Sequence, residues 1–410
     1  MNAIYYGYVF EPTGYGEAAR AYIHALHQAG INLSVVSLGN RQFVRDSLVE
    51  SLLYKSVKSP VFRLCHAPPN RLATLKSDLD RRVVALTAWE ADRIPDAWID
   101  ILNRVSDVWV PCSHNVEVFE RSLKTSIFGL PHPFVPCSAS PDASHAVCAA
   151  LGLKDDDFVF YSILTWQERK NPLGIIDAFL KAFAEVCNVV LVLKTRWSLT
   201  SEGRAIAQLN RTSLETGSDD ADSALQKRQG GADSSHDELR RRTDQLLTKP
   251  HHRIRIIGVD WPQEWLTALA ERGNAYVSLH HGEGWCYPLF DAACRGIPVV
   301  ATKYSGPTDY LTPEFHSLVD CHPTNVTKRD ERFNPDMLWA APDLSHAAYL
   351  MRYIYENPSD AFERARMGAL QLRDKYSLAR VGEAAAERLK DVHSHSAQHP
   401  NTERSRRVRR

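Results

Sequence analysis

Short apolar, β-branched or aromatic runs alternate with amphipathic segments along most of this chain. The first half opens with a strand pattern at Ile4–Val9, a helical one at Ala18–Ala29 and a second strand at Leu33–Val36. Further strand patterns follow at Val61–Leu64, Val83–Thr87, Val108–Val110 and Thr125–Phe128, with helical patterns at Pro95–Ser106 and His114–Arg121. That rhythm predicts a parallel sheet wrapped by helices. It breaks at Leu130–Asp142, where Pro131, Pro133, Pro136 and Pro141 forbid a helix interior or a central strand, and a linker is expected there.

The alternation then restarts. Strands are expected at Phe158–Ser162, Val189–Lys194, Arg253–Ile257, Ala275–Leu279 and Pro298–Ala301, and helices at Pro172–Phe183, Pro262–Ala270 and Pro288–Arg295. Three more helical patterns, His346–Glu356, Ser359–Lys375 and Leu378–Val392, close the chain. The expected fold class is α/β, with two doubly wound, Rossmann-like domains at 1–129 and 143–376, joined by the linker at 130–142 and followed by a C-terminal helix at 377–392. A polar stretch at 198–250 interrupts the second domain and reads as a mobile surface loop, and 393–410 reads as a disordered basic tail.

Composition narrows the class. With 410 residues the chain is long enough for two cores, and 44% hydrophobic against 24% charged residues is a globular balance. Basic and acidic residues cancel at 49 each, so no overall field draws the protein to nucleic acid. The eight cysteines stand singly, without the paired spacing of a zinc site, as reduced thiols of a cytoplasmic protein would. The N-terminus lacks the pattern of a signal peptide, and no apolar run approaches the roughly 20 residues of a membrane span.

Two segments carry candidate chemistry. The first, Thr13-Gly14-Tyr15-Gly16-Glu17-Ala18-Ala19-Arg20, is a glycine-rich turn between the first strand and the first helix. Amide groups freed at a helix N-terminus favour an anion, so Gly14 and Gly16 are candidate donor-binding positions, and Arg20 either faces the same anion or is solvated. The turn also fits a dinucleotide fingerprint, but the second strand ends Val36-Ser37-Leu38-Gly39-Asn40 without the acid that would hold ribose. A tight turn packing helix onto sheet is the plain alternative.

The second segment runs from His280 to Ala301. An apolar strand ends in Gly282-Glu283-Gly284-Trp285, Pro288 stands where a helix starts, and Gly296 ends that helix. Glu283 and Asp291 thereby come to the crevice beyond the sheet, where open α/β folds bind ligands and where carboxylates suit the hydroxyls of a polyol.

This block resembles the E-x7-E signature of glycosyltransferase family 4, matching at Glu283, Gly284, Pro288, Ala292, Gly296, Pro298, Val299, Val300 and Ala301. Glu168-Arg169-Lys170-Asn171-Pro172, Ala301–Tyr310, Trp89-Glu90, Ile94-Pro95 and Trp109-Val110-Pro111 resemble the same family, particularly its bacterial polysaccharide members. The resemblance implies the GT-B fold, two domains facing across a cleft, with the C-terminal helix packing back toward the first. It implies a hexosyltransferase that retains anomeric configuration, takes a nucleoside-diphosphate sugar as substrate, and normally needs no metal or other cofactor. It puts Glu283 on the hydroxyls of the donor sugar, Asp291 on the ribose, and Gly284 and Trp285 in the donor pocket. Lys170 matches the family's phosphate lysine, Lys194 is placed to add a second cation, and Arg169 reads as surface decoration.

Three departures stand out: Asp291 is one methylene shorter than the usual glutamate, Cys286 replaces a glycine, and Tyr161–Thr165 lacks a Gly-Arg pair. On the other side of the cleft, His66 and Glu90 are candidate catalytic or sugar-contacting residues at strand ends, although a lone histidine is also an ordinary structural residue. The expected partners are a nucleotide-sugar donor and a glycan or lipid-linked acceptor. Arg404–Arg410 reads as a solubilising end or as a peripheral tether to anionic lipid. The alternative activity is a degenerate GT-B protein that binds its sugar nucleotide without turnover. Loss of Glu283 is expected to abolish transfer and leave folding intact.

Overall fold

The computed structural model describes residues 1–39, 44–72, 82–197, 253–327 and 332–398. The first half forms β1 (Asn2–Gly7), α1 (Gly14–Gln28), β2 (Asn32–Ser37), α2 (Ser47–Leu52), β3 (Phe62–His66), α3 (Pro69–Leu72), β4 (Val83–Leu86), α4 (Asp96–Leu102), β5 (Asp107–Val110), α5 (Ser113–Glu120) and β6 (Ile127–Gly129). The second half forms α6 (Pro141–Leu151), β7 (Phe158–Trp166), a 3-10 turn (Glu168–Lys170), α7 (Pro172–Phe183), β8 (Val189–Trp197), β9 (Ile254–Ile257), α8 (Gln263–Arg272), β10 (Ala275–Ser278), α9 (Tyr287–Arg295), β11 (Val299–Thr302) and β12 (Ser317–Val319). A hairpin of β13 (Cys321–Asn325) and β14 (Leu338–Pro342) precedes α10 (Leu344–Glu356), α11 (Pro358–Lys375) and α12 (Leu378–Gln398).

Two six-stranded sheets result, ordered β2-β1-β3-β4-β5-β6 and β12-β11-β10-β7-β8-β9, and every pairing within them is parallel. In each, the chain starts in the interior, runs to one edge and returns to build the other side. The order therefore reverses between β1 and β3 in the first sheet and between β7 and β10 in the second. Loops leaving the carboxyl ends of neighbouring strands diverge at such a point and leave a crevice, which is where doubly wound sheets bind ligands.

Three features depart from the sequence expectations. Pro141, counted with the linker, is the first-turn proline of α6, whose N-cap Ser140 accepts from the Ala143 amide at 3.2 Å. The β13–β14 hairpin was not foreseen, because Cys-His-Pro-Thr-Asn and Leu-Trp-Ala-Ala-Pro show neither β-branched enrichment nor clean alternation. The last helix, expected to stop at Val392 and give way to disorder, continues to Gln398; adding a residue to an existing helix is far easier than starting one. The polar stretch 198–250 and the basic end from 399 onward lie outside the described residues.

Two elements late in the sequence pack on the first half. Val381, Ala385, Leu389 and Val392 make a stripe at helical spacing on α12 that joins the core of β1 and α1, and Arg388 holds the buried Asp107 through Nε at 2.7 Å and Nη2 at 2.8 Å. The hairpin contributes Val326, Phe333, Met337 and Trp339 to the core around Trp89 and Trp98, with Phe333 stacked on Trp89 at 4.7 Å. Asp92 completes the join: its amide donates to Leu338 O and its carboxylate accepts from the Leu338 amide at 2.7 Å. Among the described residues, no helix is long and apolar enough to cross a membrane.

Candidate functional site

The two switch points open on one cleft of about 580 Å³. The first sheet lines it with the turn after β1, with His66, and with Thr87, Ala88 and Glu90 after β4; the linker adds His132. The second sheet lines it with Ile163–Thr165, Gln167, Arg169, Lys170, Lys194–Arg196 and Glu283–Pro288.

Glu283 is the electrostatic centre of the second wall. Its side chain is only 4% exposed, Arg169 Nη1 reaches Oε2 at 3.0 Å, and Lys170 Nζ bonds Oε1. Burial alone would raise its pKa, but Lys170, Arg169 and His280 outweigh it and bring the carboxyl down to about 2. The backbone of the loop is fixed as well, since the Glu283 amide donates to Ser305 Oγ at 3.0 Å and its carbonyl accepts from the Gly306 amide at 2.9 Å. The expectation that its loss would leave folding untouched is therefore revised: removing one partner of a buried pair strands the others in low dielectric.

Arg169 is not surface decoration. Its Nη2 reaches Glu90 of the first half at 3.2 Å, while Nη1 also donates to Gly282 O at 2.7 Å. One guanidinium thus ties both walls together, and the two acids raise its pKa against the opposing effect of burial. The local cause is Asn171, which adopts φ 51° and ψ 50°, caps α7 by accepting from the Gly174 amide and donates to Leu279 O, ending the turn so that Arg169 and Lys170 both reach the Glu283 loop. The preceding Glu-Arg-Lys-Asn-Pro run held this signal, an αL-prone residue before a helix-starting proline.

The Glu283 loop also touches the first half directly. A Cβ on Gly284 would lie 2.7 Å from Ala88 Cβ, so glycine here serves the approach of the two halves. Cys286 holds φ 66°, the left-handed conformation that glycine takes without strain, and burial pushes its thiol up to about 12. Trp285 lines the cleft but is chiefly a core anchor, packed against Phe290, Tyr310 and Tyr376 at 4.9–5.5 Å, with its indole N–H unpaired among the described residues. Asp291 is not among the lining residues. Its carboxylate turns along α9 to Arg295 Nε at 2.6 Å, and burial raises its pKa against the opposing pull of Arg295.

Lys194 lies buried within β8, which runs on to Trp197 rather than ending at the lysine, and donates to Thr195 O at 3.0 Å with the Trp261 ring 5.8 Å away; burial lowers its pKa to about 8. Arg196, which sequence reasoning passed over, lines the cleft beside it, paired to Asp260 at 3.0 Å and donating to Pro12 O at 3.3 Å.

On the first wall, Thr13 Oγ1 caps α1 by accepting from the Gly16 amide, and a Cβ on Gly16 would strike Glu11 O at 1.9 Å. Gly14 borders open cleft, with nothing within 4 Å of its would-be Cβ. Arg20 neither faces the cleft nor is solvated; it holds the β1–α1 loop through Val9 O at 2.9 Å and Glu11 O at 3.2 Å, and pairs with Glu17. His66 is 3% exposed, hydrogen-bonded through Nδ1 to Tyr5 Oη at 2.7 Å, and burial drives its pKa down to about 3. Beside it stands His132, another residue that sequence reasoning missed, although an imidazole held between Pro131 and Pro133 at the domain junction was its signal. Among the described residues, no group of three or more His, Cys, Asp or Glu side chains is placed to hold a metal ion.

No protein-family model matches the sequence, and no curated protein does. Solved structures do. Anabaena Alr3699/HepE in complex with UDP-glucose is similar over 95% of this chain and 100% of its own, with a TM-score of 0.64 at 13% identity. Sucrose-phosphate synthase from Thermosynechococcus elongatus is similar over 97% and 100%, with a TM-score of 0.62 at 14% identity. The α,α-trehalose 6-phosphate synthase from Burkholderia multivorans is similar over 97% and 99%, with a TM-score of 0.56 at 10% identity. The two parallel six-stranded sheets of this chain, with their helices, form the α/β GT-B fold of glycosyltransferases.

Proposed function

We propose that this chain is a family-4-like glycosyltransferase, moving a hexose or related sugar from a nucleoside-diphosphate sugar to a glycan or lipid-linked acceptor. We place it in the cytoplasm and propose that it retains the anomeric configuration. The reading rests above all on Glu283, a buried carboxylate held ionised by Arg169 and Lys170 where the crevices of both sheets meet. It accepts hydrogen bonds from the hydroxyls of the donor sugar. Lys170, Lys194 and Arg196, with the amides around Gly14 and Gly284, take the diphosphate, and Trp285 backs that pocket. As the bond from the anomeric carbon to the leaving phosphate oxygen breaks, negative charge grows on the diphosphate, and cations fixed in advance stabilise it. Glu90 closes the acceptor side through Arg169. Asp291 reaches ribose only by leaving Arg295.

Purified protein, mixed with labelled nucleotide sugars and glycan or lipid extracts, should bind one donor saturably and transfer its sugar, with the product anomer read by NMR. The Asp291–Arg295 pair and the Cβ of Cys286 favour a second reading, a GT-B protein that binds the sugar nucleotide without turnover. Saturable binding with neither transfer nor hydrolysis would select it. Absence of donor binding in a calorimetric titration would remove both.

A further inference from the structure

The hydrogen bonds behind His66 and His132 determine which nitrogen of each ring carries its proton. Tyr22 has one phenolic hydrogen and donates it to Leu130 O at 2.6 Å. Its oxygen also lies 3.0 Å from His132 Nδ1, so that nitrogen supplies the proton of the contact and His132 Nε2 keeps a bare lone pair. Tyr5 is different. Its hydroxyl is fully buried, and among the described residues its hydrogen-bond partner is His66 Nδ1 at 2.7 Å. A phenolic proton sealed in a core must be donated, so His66 Nδ1 accepts and its Nε2 carries the hydrogen.

The two rings stand side by side, with centroids 6.4 Å apart, and both line the cleft. Burial keeps both neutral at physiological pH, His66 being held at about 3 and His132 well below its usual value, so each ring has one proton to place. Neither Nε2 has a protein hydrogen bond among the described residues, neither is among the fully enclosed unpaired atoms, and both residues line the cleft. Tyr287 steadies the arrangement: its ring stacks on His132 at 5.4 Å and 26°, and its hydroxyl donates to Pro133 O at 3.0 Å.

We infer that His66 and His132 form a matched donor and acceptor for one carbohydrate hydroxyl, His66 giving its Nε2 hydrogen and His132 Nε2 receiving the hydroxyl proton. The inference rests on the carbohydrate reading of the cleft. Its selectivity follows from the opposite tautomers. A hydroxyl both accepts and donates and so satisfies both rings, whereas a phosphate oxygen can only accept and leaves the His132 lone pair unmet.

The test is a long-range ¹H–¹⁵N spectrum of the full chain labelled with ¹⁵N-histidine, at pH 7. Expected are an Nε2–H pattern for His66 and an Nδ1–H pattern for His132; the same tautomer in both, or a protonated ring, overturns the inference. Tyr22→Phe should release His132 toward Nε2–H and leave His66 unchanged. Addition of UDP-glucose that moves both Nε2 resonances, where UDP does not, assigns the hydroxyl to the donor hexose. Movement with methyl α-glucoside alone assigns it to the acceptor, and no movement with any of the three refutes a ligand role. His132→Phe should raise KM for the matching sugar about tenfold, with His132→Gln, which keeps an acceptor, nearer wild type. Opposite tautomers with sugar-induced shifts in a protein that transfers nothing would uphold the pair while refuting turnover.

Discussion

The two walls of the cleft carry polarity in opposite ways. The second-sheet wall is built of charged groups, with Arg169 and Lys170 on the buried Glu283 and with Lys194 and Arg196 also in the lining. The first-sheet wall presents neutral groups, His66, His132, Tyr15 and Thr87, and the lining carboxylate Glu90 is paired across the gap to Arg169. Burial explains the neutral side: His66 is held at about 3 and Tyr15 at about 12, so neither titrates near pH 7. On the charged side, opposed ions offset the same burial and keep Glu283 ionised at about 2. A wall of fixed cations suits a diphosphate, and a wall of neutral donors and acceptors suits hydroxyls. The same solvent exclusion thus prepares two chemistries, according to whether a partner charge is present.

The comparison breaks most severely at its charged centre. Glu283→Gln should lower transfer at least about a hundredfold and destabilise the fold by about 3 kcal/mol, because Arg169 and Lys170 lose a buried partner. Since the folded pKa of Glu283 is depressed from 4.5 to about 2, its contribution is complete above about pH 4.5 and lost as pH falls toward 2. Urea melts across that window should show a slope in the wild type that the variant lacks; identical slopes would contradict the assignment.

Lys194 comes next. Burial lowers its pKa from 10.5 to about 8, so its charge leaves the folded protein as pH rises through 8. Affinity for the proposed nucleoside diphosphate should fall across that range, whereas Lys194→Met should bind about tenfold more weakly at pH 7 with a flat profile. The sign for folding is opposite: between about 8 and 10.5 the unfolded chain holds the extra proton, so this group makes stability rise with pH.

Asp291→Glu adds the methylene usual in the signature that the Glu283 block resembles. With the native carboxylate engaged by Arg295, affinity for the proposed nucleoside diphosphate, measured by calorimetry, should change no more than about threefold. The smallest effect is expected at Cys286→Gly. Relief of the left-handed strain and loss of a buried thiol oppose each other, so thermal melts should place the net change within about 1 kcal/mol.

Legibility in the sequence followed the range of the interactions. Strand and helix alternation, the proline starts of α7 and α9 and the Gly296 stop are local, and they could be read directly. The Glu283 loop was legible for the same reason. Arg169 was misread because its partners, Glu90 and Glu283, lie far off in the chain, and a guanidinium in a Glu-Arg-Lys run looks solvated until tertiary contact removes the water. His132 was missed for a like cause: its significance comes from Tyr22 and Tyr287, which reach it only when the halves close. The hairpin escaped notice because Phe333 and Trp339 bury against Trp89 and Trp98 of the other half, a pairing without sequence periodicity.

By itself, then, the sequence determined the α/β class, the two-sheet plan and the strand end that carries Glu283, because periodicity, capping and turn chemistry act over a few residues. Tertiary structure alone decided that Asp291 turns to Arg295, that Arg169 joins both walls, and that His66 and His132 carry opposite tautomers. Charge state and proton position answer to desolvation and to partners brought together from distant parts of the chain, and those are set only once the two sheets face each other.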